Sequence, residues 1–143
     1  MSWTYSCPRC GAMLNPGETV VLVATQGARR LLIGFHPQPG NFEVYLPPDV
    51  TLAEGEHWDF HCPVCQENLR SGELQNLCEL RMSEQGRKHR VFFSRVAGEH
   101  ATFLVSEPEA SPAAEPAGKT VAARLGEHAS AYAGQMIQMK YLL

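Results

Sequence analysis

No stretch of this sequence is apolar for long enough to cross a membrane as a helix. A surplus of basic residues is missing too. Twelve Lys and Arg stand against fifteen Asp and Glu, a formal charge of −3. No overall positive field therefore draws the chain to nucleic acid or anionic lipid, and such binding would need a local patch. The opening segment "MSWTYSCPRC" lacks the charged and apolar regions of a secretion signal. Cysteines are few: five, an odd number, four of them in close pairs. That pattern speaks against a secreted disulfide scaffold and for reduced thiols. A soluble, cytoplasmic protein without membrane association is expected. No nucleophile elbow, phosphate-binding glycine loop or metalloprotease helix is present, so catalysis is not expected either.

What remains is globular in composition, 44% hydrophobic with twelve Gly and ten Pro, and 143 residues leave no room for a second enzyme-sized domain. The order of segments predicts a mainly β fold. "ETVVLVAT" (18–25) and "RLLIGF" (30–35) are apolar and β-branched and break at Gln26-Gly27, which predicts a hairpin. "FEVYL" (42–46) is a third strand after the proline-rich turn at 36–41. "LCELRM" (77–82), "RVFFSR" (90–95) and "ATFLVS" (101–106), separated by glycine-containing polar breaks, predict an antiparallel meander. In the first of these, period-two alternation points Cys78 inward with Leu80 and Met82.

Residues 107–119 are Pro, Ala and Glu with nothing to pack a core, and are expected to form a linker. In 120–143, Val121, Leu125, Tyr132, Met136, Met139 and Leu142 recur at roughly helical intervals, interrupted by Gly126 and Gly134. An amphipathic helical tail is expected there, packed on a protein partner or a second copy. Residues 1–106 are then expected to form one antiparallel β domain that includes the cysteine pairs at 7–10 and 62–65. "GEHAT" at Gly98 and "GEHAS" at Gly126 are similar strings, taken as coincidence because their separation is not repeated.

The chemistry sits in "YSCPRCGAML" (5–14) and "DFHCPVCQENL" (59–69). A Cys-x-x-Cys turn holds two sulfurs on one side of a tight bend, and two such turns facing each other enclose a tetrahedral metal. Cys7, Cys10, Cys62 and Cys65 are therefore the expected ligands of one Zn2+ site, with Fe as the alternative. The 51 residues between Cys10 and Cys62 are no obstacle. Loop closure costs only about 0.6 kcal/mol per doubling, and a hairpin inside the loop brings its ends together. A thioredoxin-like redox pair would precede a long helix, whereas "GAMLNPGE" begins with Gly11 and soon meets Pro16. His57 and His61 flank the second pair. With four thiolates available they are expected as solvated groups, His61 with the option of donating to a sulfur.

The chain resembles a zinc-ribbon protein, and its knuckles are similar to those of rubredoxins. Shared features are the aromatic residue two positions before the first cysteine, the Cys-Pro-x-Cys turns, and the glycine after Cys10. The similarity spans some twenty-five residues and implies a tetrathiolate centre without naming a function. Gln66 stands where rubredoxins place a second glycine, and the insert is long for that family; both favour zinc over iron.

The functional expectation is thus a non-catalytic zinc-binding scaffold or interaction module, with an accessory subunit as one form of it. Two alternatives stay open. Arg81, Arg87, Lys88, Arg90 and Arg95, interleaved with Phe92 and Phe93, would make a basic hairpin for nucleic acid. A rubredoxin-like iron electron carrier is the other. The pairs Glu99-His100 and Glu127-His128 are adjacent in sequence and so are poor acid/base pairs, because neighbouring strand positions face opposite ways.

Overall fold

A computed structural model describes residues 3–72, 74, 76–106 and 120–129. Among them nine strands run in two antiparallel sheets: β1 (Thr4–Ser6), β2 (Val20–Gln26), β3 (Arg29–Phe35), β4 (Val44–Tyr45), β5 (Asp59–His61), β6 (Leu77–Glu84), β7 (Arg87–Ser94), β8 (Thr102–Ser106) and β9 (Thr120–Leu125). The first sheet has the order β4-β3-β2-β5 and the second β1-β6-β7-β8-β9. No helix occurs among the described residues, and none is long and apolar enough to cross a membrane.

The core lies between the sheets. Val20, Leu22 and Ala24, alternate residues of β2, join Ile33 and Phe60 from the first sheet. Leu80, Met82 and Val91 face them from the second, with Cys78 fully buried beside them as its alternation predicts. Phe35, Phe60 and Phe93 bring strands of both sheets together, with ring centroids 5.4 to 5.6 Å apart in tilted and edge-on pairs. The second sheet is apolar on its other face as well. Phe92, Phe103 and Val105 are completely buried there with Leu74, Leu77, Ala101 and Ala129. Continuous apolar runs such as Val91-Phe92-Phe93 reflect this double burial.

The expected hairpin is present, with Val20 opposite Phe35 and Gln26 opposite Arg29. The third strand contracts to Val44–Tyr45 on the β3 edge. The meander is longer than expected: Glu84 pairs with Arg87, so "SEQGRKH" is mostly strand. Gln85 and Gly86 both take positive φ (49° and 77°), the signature of a two-residue turn whose twist matches its strands.

The helical tail needs correcting. Thr120–Leu125 is strand β9, paired with β8 through a bulge at Leu104/Val105. The spacing of Val121 and Leu125 satisfied a helical period, but an open β8 edge offers this short β-branched segment hydrogen bonds that an isolated turn of helix lacks. The rest of the expected helix, 130–143, and the linker at 107–119 lie outside the described residues.

Candidate metal centre

Short strands aim the two knuckles. β1 leads into Cys7 from the edge of the second sheet, paired with β6. β5 leads into Cys62 from the edge of the first, paired with β2. After each turn the chain crosses to the other sheet. Leu14 N donates to Tyr5 O (2.9 Å), and Leu14 O accepts from Val21 N (2.9 Å). In the second unit Leu69 N donates to Phe60 O (2.8 Å), and Leu69 O accepts from Glu79 N (2.8 Å). The centre therefore sits where the two sheets exchange chain.

Within each knuckle the backbone repeats bond for bond. Cys7 Sγ accepts from Arg9 N (3.3 Å) and Cys10 N (3.4 Å). Cys62 Sγ accepts from Val64 N (3.3 Å) and Cys65 N (3.4 Å). The carbonyls of Cys7 and Cys62 each accept from the residue after the second cysteine, Gly11 N and Gln66 N, both at 2.9 Å. Pro8 and Pro63 preset the φ of the first turn residue. The four sulfurs lie within 4.8 Å of one another, and across the two knuckles Cys7 to Cys65 and Cys10 to Cys62 are both 3.7 Å apart. A tetrahedron with metal–sulfur bonds near 2.3 Å has edges of about 3.8 Å. The donor set thus fits one ion shared by both knuckles, and the separations are far beyond a disulfide bond of about 2.05 Å.

Burial pushes the Cys62 thiol up. The N–H groups of Cys65 and Val64 and the thiols of Cys65 and Cys10 outweigh that and bring it down to about 7. Cys7 is raised by burial despite its own N–H donors. Cys65 receives a lowering contribution from the backbone of Glu67, but partial burial and its three neighbouring sulfurs push it up to about 12. Proton sharing of this kind makes the cluster a single titrating unit, and metal loading must displace protons.

Gln66 closes the second turn in the way glycine closes the first. It adopts φ +66°, close to the +77° of Gly11, so both knuckles close alike although only one has glycine. The strain of a left-handed non-glycine residue, about 1–2 kcal/mol, is offset by anchors. Arg30 Nη2 donates to Gln66 Oε1 (2.9 Å), and the His61 ring lies 3.3 Å from Gln66 O. His61 therefore braces the turn rather than a sulfur. Its Nδ1–H points to that carbonyl, leaving Nε2 to accept from Thr25 Oγ1 at 2.9 Å. The missing glycine does not select between zinc and iron. His57 is exposed and outside the cluster, and Cys78 is buried away from it with its thiol pushed well up by desolvation.

Two of the five basic residues of the hairpin are committed to partners inside the protein. Arg95 is 7% exposed and fastens the sheets, donating to Trp58 O (3.0 Å) and Asp59 Oδ1 (2.6 Å). Partial burial raises the Asp59 carboxyl, but Asn68, Arg95 and Arg70 together hold it below its ordinary value. Arg90 is committed to both oxygens of Glu79 at 2.9 Å. Phe92 is wholly buried, and Phe93 packs on Phe35 and Phe60. Arg81, Arg87 and Lys88 remain exposed. Arg81 instead lines a small cleft with Arg9 and Arg70, residues whose distance in sequence hid the grouping.

The two GEHA strings do meet. His128 Nδ1 accepts from His100 N (2.9 Å), and Glu127 Oε1 lies 3.2 Å from His100 Nδ1. Gly126, at φ +97°, is required there because a Cβ would run into the His100 carbonyl. Pairing of the segments that carry β8 and β9 brings the strings together, a long-range event that local similarity does not announce.

Fold and site define a mainly β protein with a four-cysteine cluster consistent with a zinc-ribbon-like metal site. Compared with known proteins, the chain matches no family model, no curated protein and no solved structure.

Proposed function

We propose that the protein is a non-catalytic zinc-binding module in which the metal locks two sheets together and the β scaffold serves to bind a partner. The observation that carries this reading is that two 3.7 Å sulfur contacts, Cys7 to Cys65 and Cys10 to Cys62, bridge one knuckle to the other. An ion held there is bonded to one crossing from each sheet. Four thiolates close its shell and leave no position for water or substrate. The long insert between the knuckles also favours a structural zinc over the compact iron arrangement. Exposed Met13, after the first knuckle, and Val64, within the second, supply apolar surface for a protein partner or a second copy. Five free cysteines suit a reducing compartment, in keeping with a cytoplasmic location.

Metal analysis with an absorption spectrum of anaerobically purified protein tests the assignment. A colourless protein with stoichiometric zinc is expected, and a red, redox-active iron sample overturns it. The iron electron carrier is kept as the second reading by the exposure of Cys10, which places one edge of the cluster at the surface where electrons would pass. Nucleic-acid binding is the weaker alternative, because Arg90 and Arg95 are committed to internal partners.

A further inference from the structure

A partly open cavity of about 270 Å³ lies between the sheets, away from the cysteine cluster. Its wall is largely apolar, including Ile33, Phe60, Val91 and Phe93, with half-buried Glu99 and His100 among the polar members. Its size separates it from a packing defect: an apolar cavity of about 150 Å³ already accepts benzene, and interiors otherwise tolerate few voids larger than a water molecule.

Trp58 forms part of the same wall. It is 1% exposed, and its indole Nε1–H has no acceptor. Buried indole N–H groups ordinarily find one, since an unpaired buried donor is costly. Neighbouring groups are already engaged. The Trp58 carbonyl accepts from Arg95 Nε, Ser94 Oγ donates to Glu99, and the Arg29 guanidinium lies 4.8 Å over the indole ring.

We propose that the cavity binds a small uncharged molecule, one or two rings in size, whose carbonyl or ether oxygen accepts a hydrogen bond from Trp58 Nε1. The volume sets the size and the apolar wall sets the body. The unpaired indole N–H sets the polar group. A carboxylate would give up its hydration to enter a largely apolar wall for one hydrogen bond from the indole, and an ammonium has no lone pair for that N–H to donate to.

The test uses the metal-loaded full chain labelled with ¹⁵N in its tryptophans, titrated with 1-tetralone and with tetralin, which has the same bicyclic body and no acceptor. Saturable tetralone binding with Kd below about 1 mM is expected, with a downfield shift of the Trp58 indole signal. Tetralin should bind roughly five-fold more weakly. Trp58→Phe should equalise the two, and Val91→Phe, which fills the cavity, should weaken both. Absence of saturable binding, equal affinities in the unmodified protein, or a preference that survives Trp58→Phe overturns the proposal. Should a variant lose its metal and fold, the tetralone–tetralin comparison in the unmodified protein decides.

Discussion

The unit around Cys7–Cys10 and the unit around Cys62–Cys65 are built alike, from a buried aromatic (Tyr5, Phe60) through a Cys-Pro-x-Cys turn to a buried leucine (Leu14, Leu69). Each enters from one sheet and leaves for the other, in opposite senses. Their difference lies in what closes the turn. The first uses Gly11 at no steric cost; the second forces Gln66 into the same left-handed conformation and ties it down with Arg30 and His61. The geometry required by the sulfurs and their N–H donors is therefore prior to the residue that adopts it. A missing glycine marks strain, not a different turn.

The largest effect expected from breaking this equivalence comes from the ligands themselves. Cys62→Ser should abolish stoichiometric metal by elemental analysis and lower stability by about 4 kcal/mol in denaturant titration. Full metal content with unchanged stability would sink the shared site. Metal affinity comes next. Its ligands must be thiolates, and Cys7 and Cys65 are held above the ordinary thiol range while Cys62 sits near 7. Protons compete increasingly as pH falls, so affinity should drop at least about ten-fold per pH unit between pH 8 and 6. Competition with a chromophoric chelator at the two pH values measures this, and a flat profile contradicts it.

Smaller effects separate the two closures. Gly11→Gln lacks the anchors that Gln66 enjoys and should cost about 1–2 kcal/mol in thermal or chemical unfolding of the loaded protein. Gln66→Gly should gain about 1 kcal/mol by relieving the left-handed strain. If the second substitution destabilises instead, the Arg30 and His61 anchors outweigh the strain they offset. Arg30→Ala, which removes one exposed anchor, should cost no more than about 0.5 kcal/mol.

Much of this was legible in the residues. The two Cys-Pro-x-Cys turns, the 18–35 hairpin, the meander after residue 77 and the inward face of Cys78 are local patterns, set by turn chemistry and period-two alternation. The strands β1 and β5 were not legible, because three residues carry no period; they exist by virtue of the neighbours they pair with. The helical spacing of Val121 and Leu125 misled for the same reason, since an available β8 edge outweighed a weak local preference.

By itself the sequence determined that four thiols would be offered in two matched turns, because a Cys-Pro-x-Cys turn needs only its own backbone to aim its sulfurs. Only the tertiary structure decided that the turns belong to opposite sheets and that Gln66 mimics Gly11. It alone also buried Arg95 as a fastener, joined His100 to Glu127, and left Trp58 with an unanswered N–H beside a cavity. Those outcomes depend on contacts between residues far apart in the chain, whose burial and partners exist only once both sheets have packed.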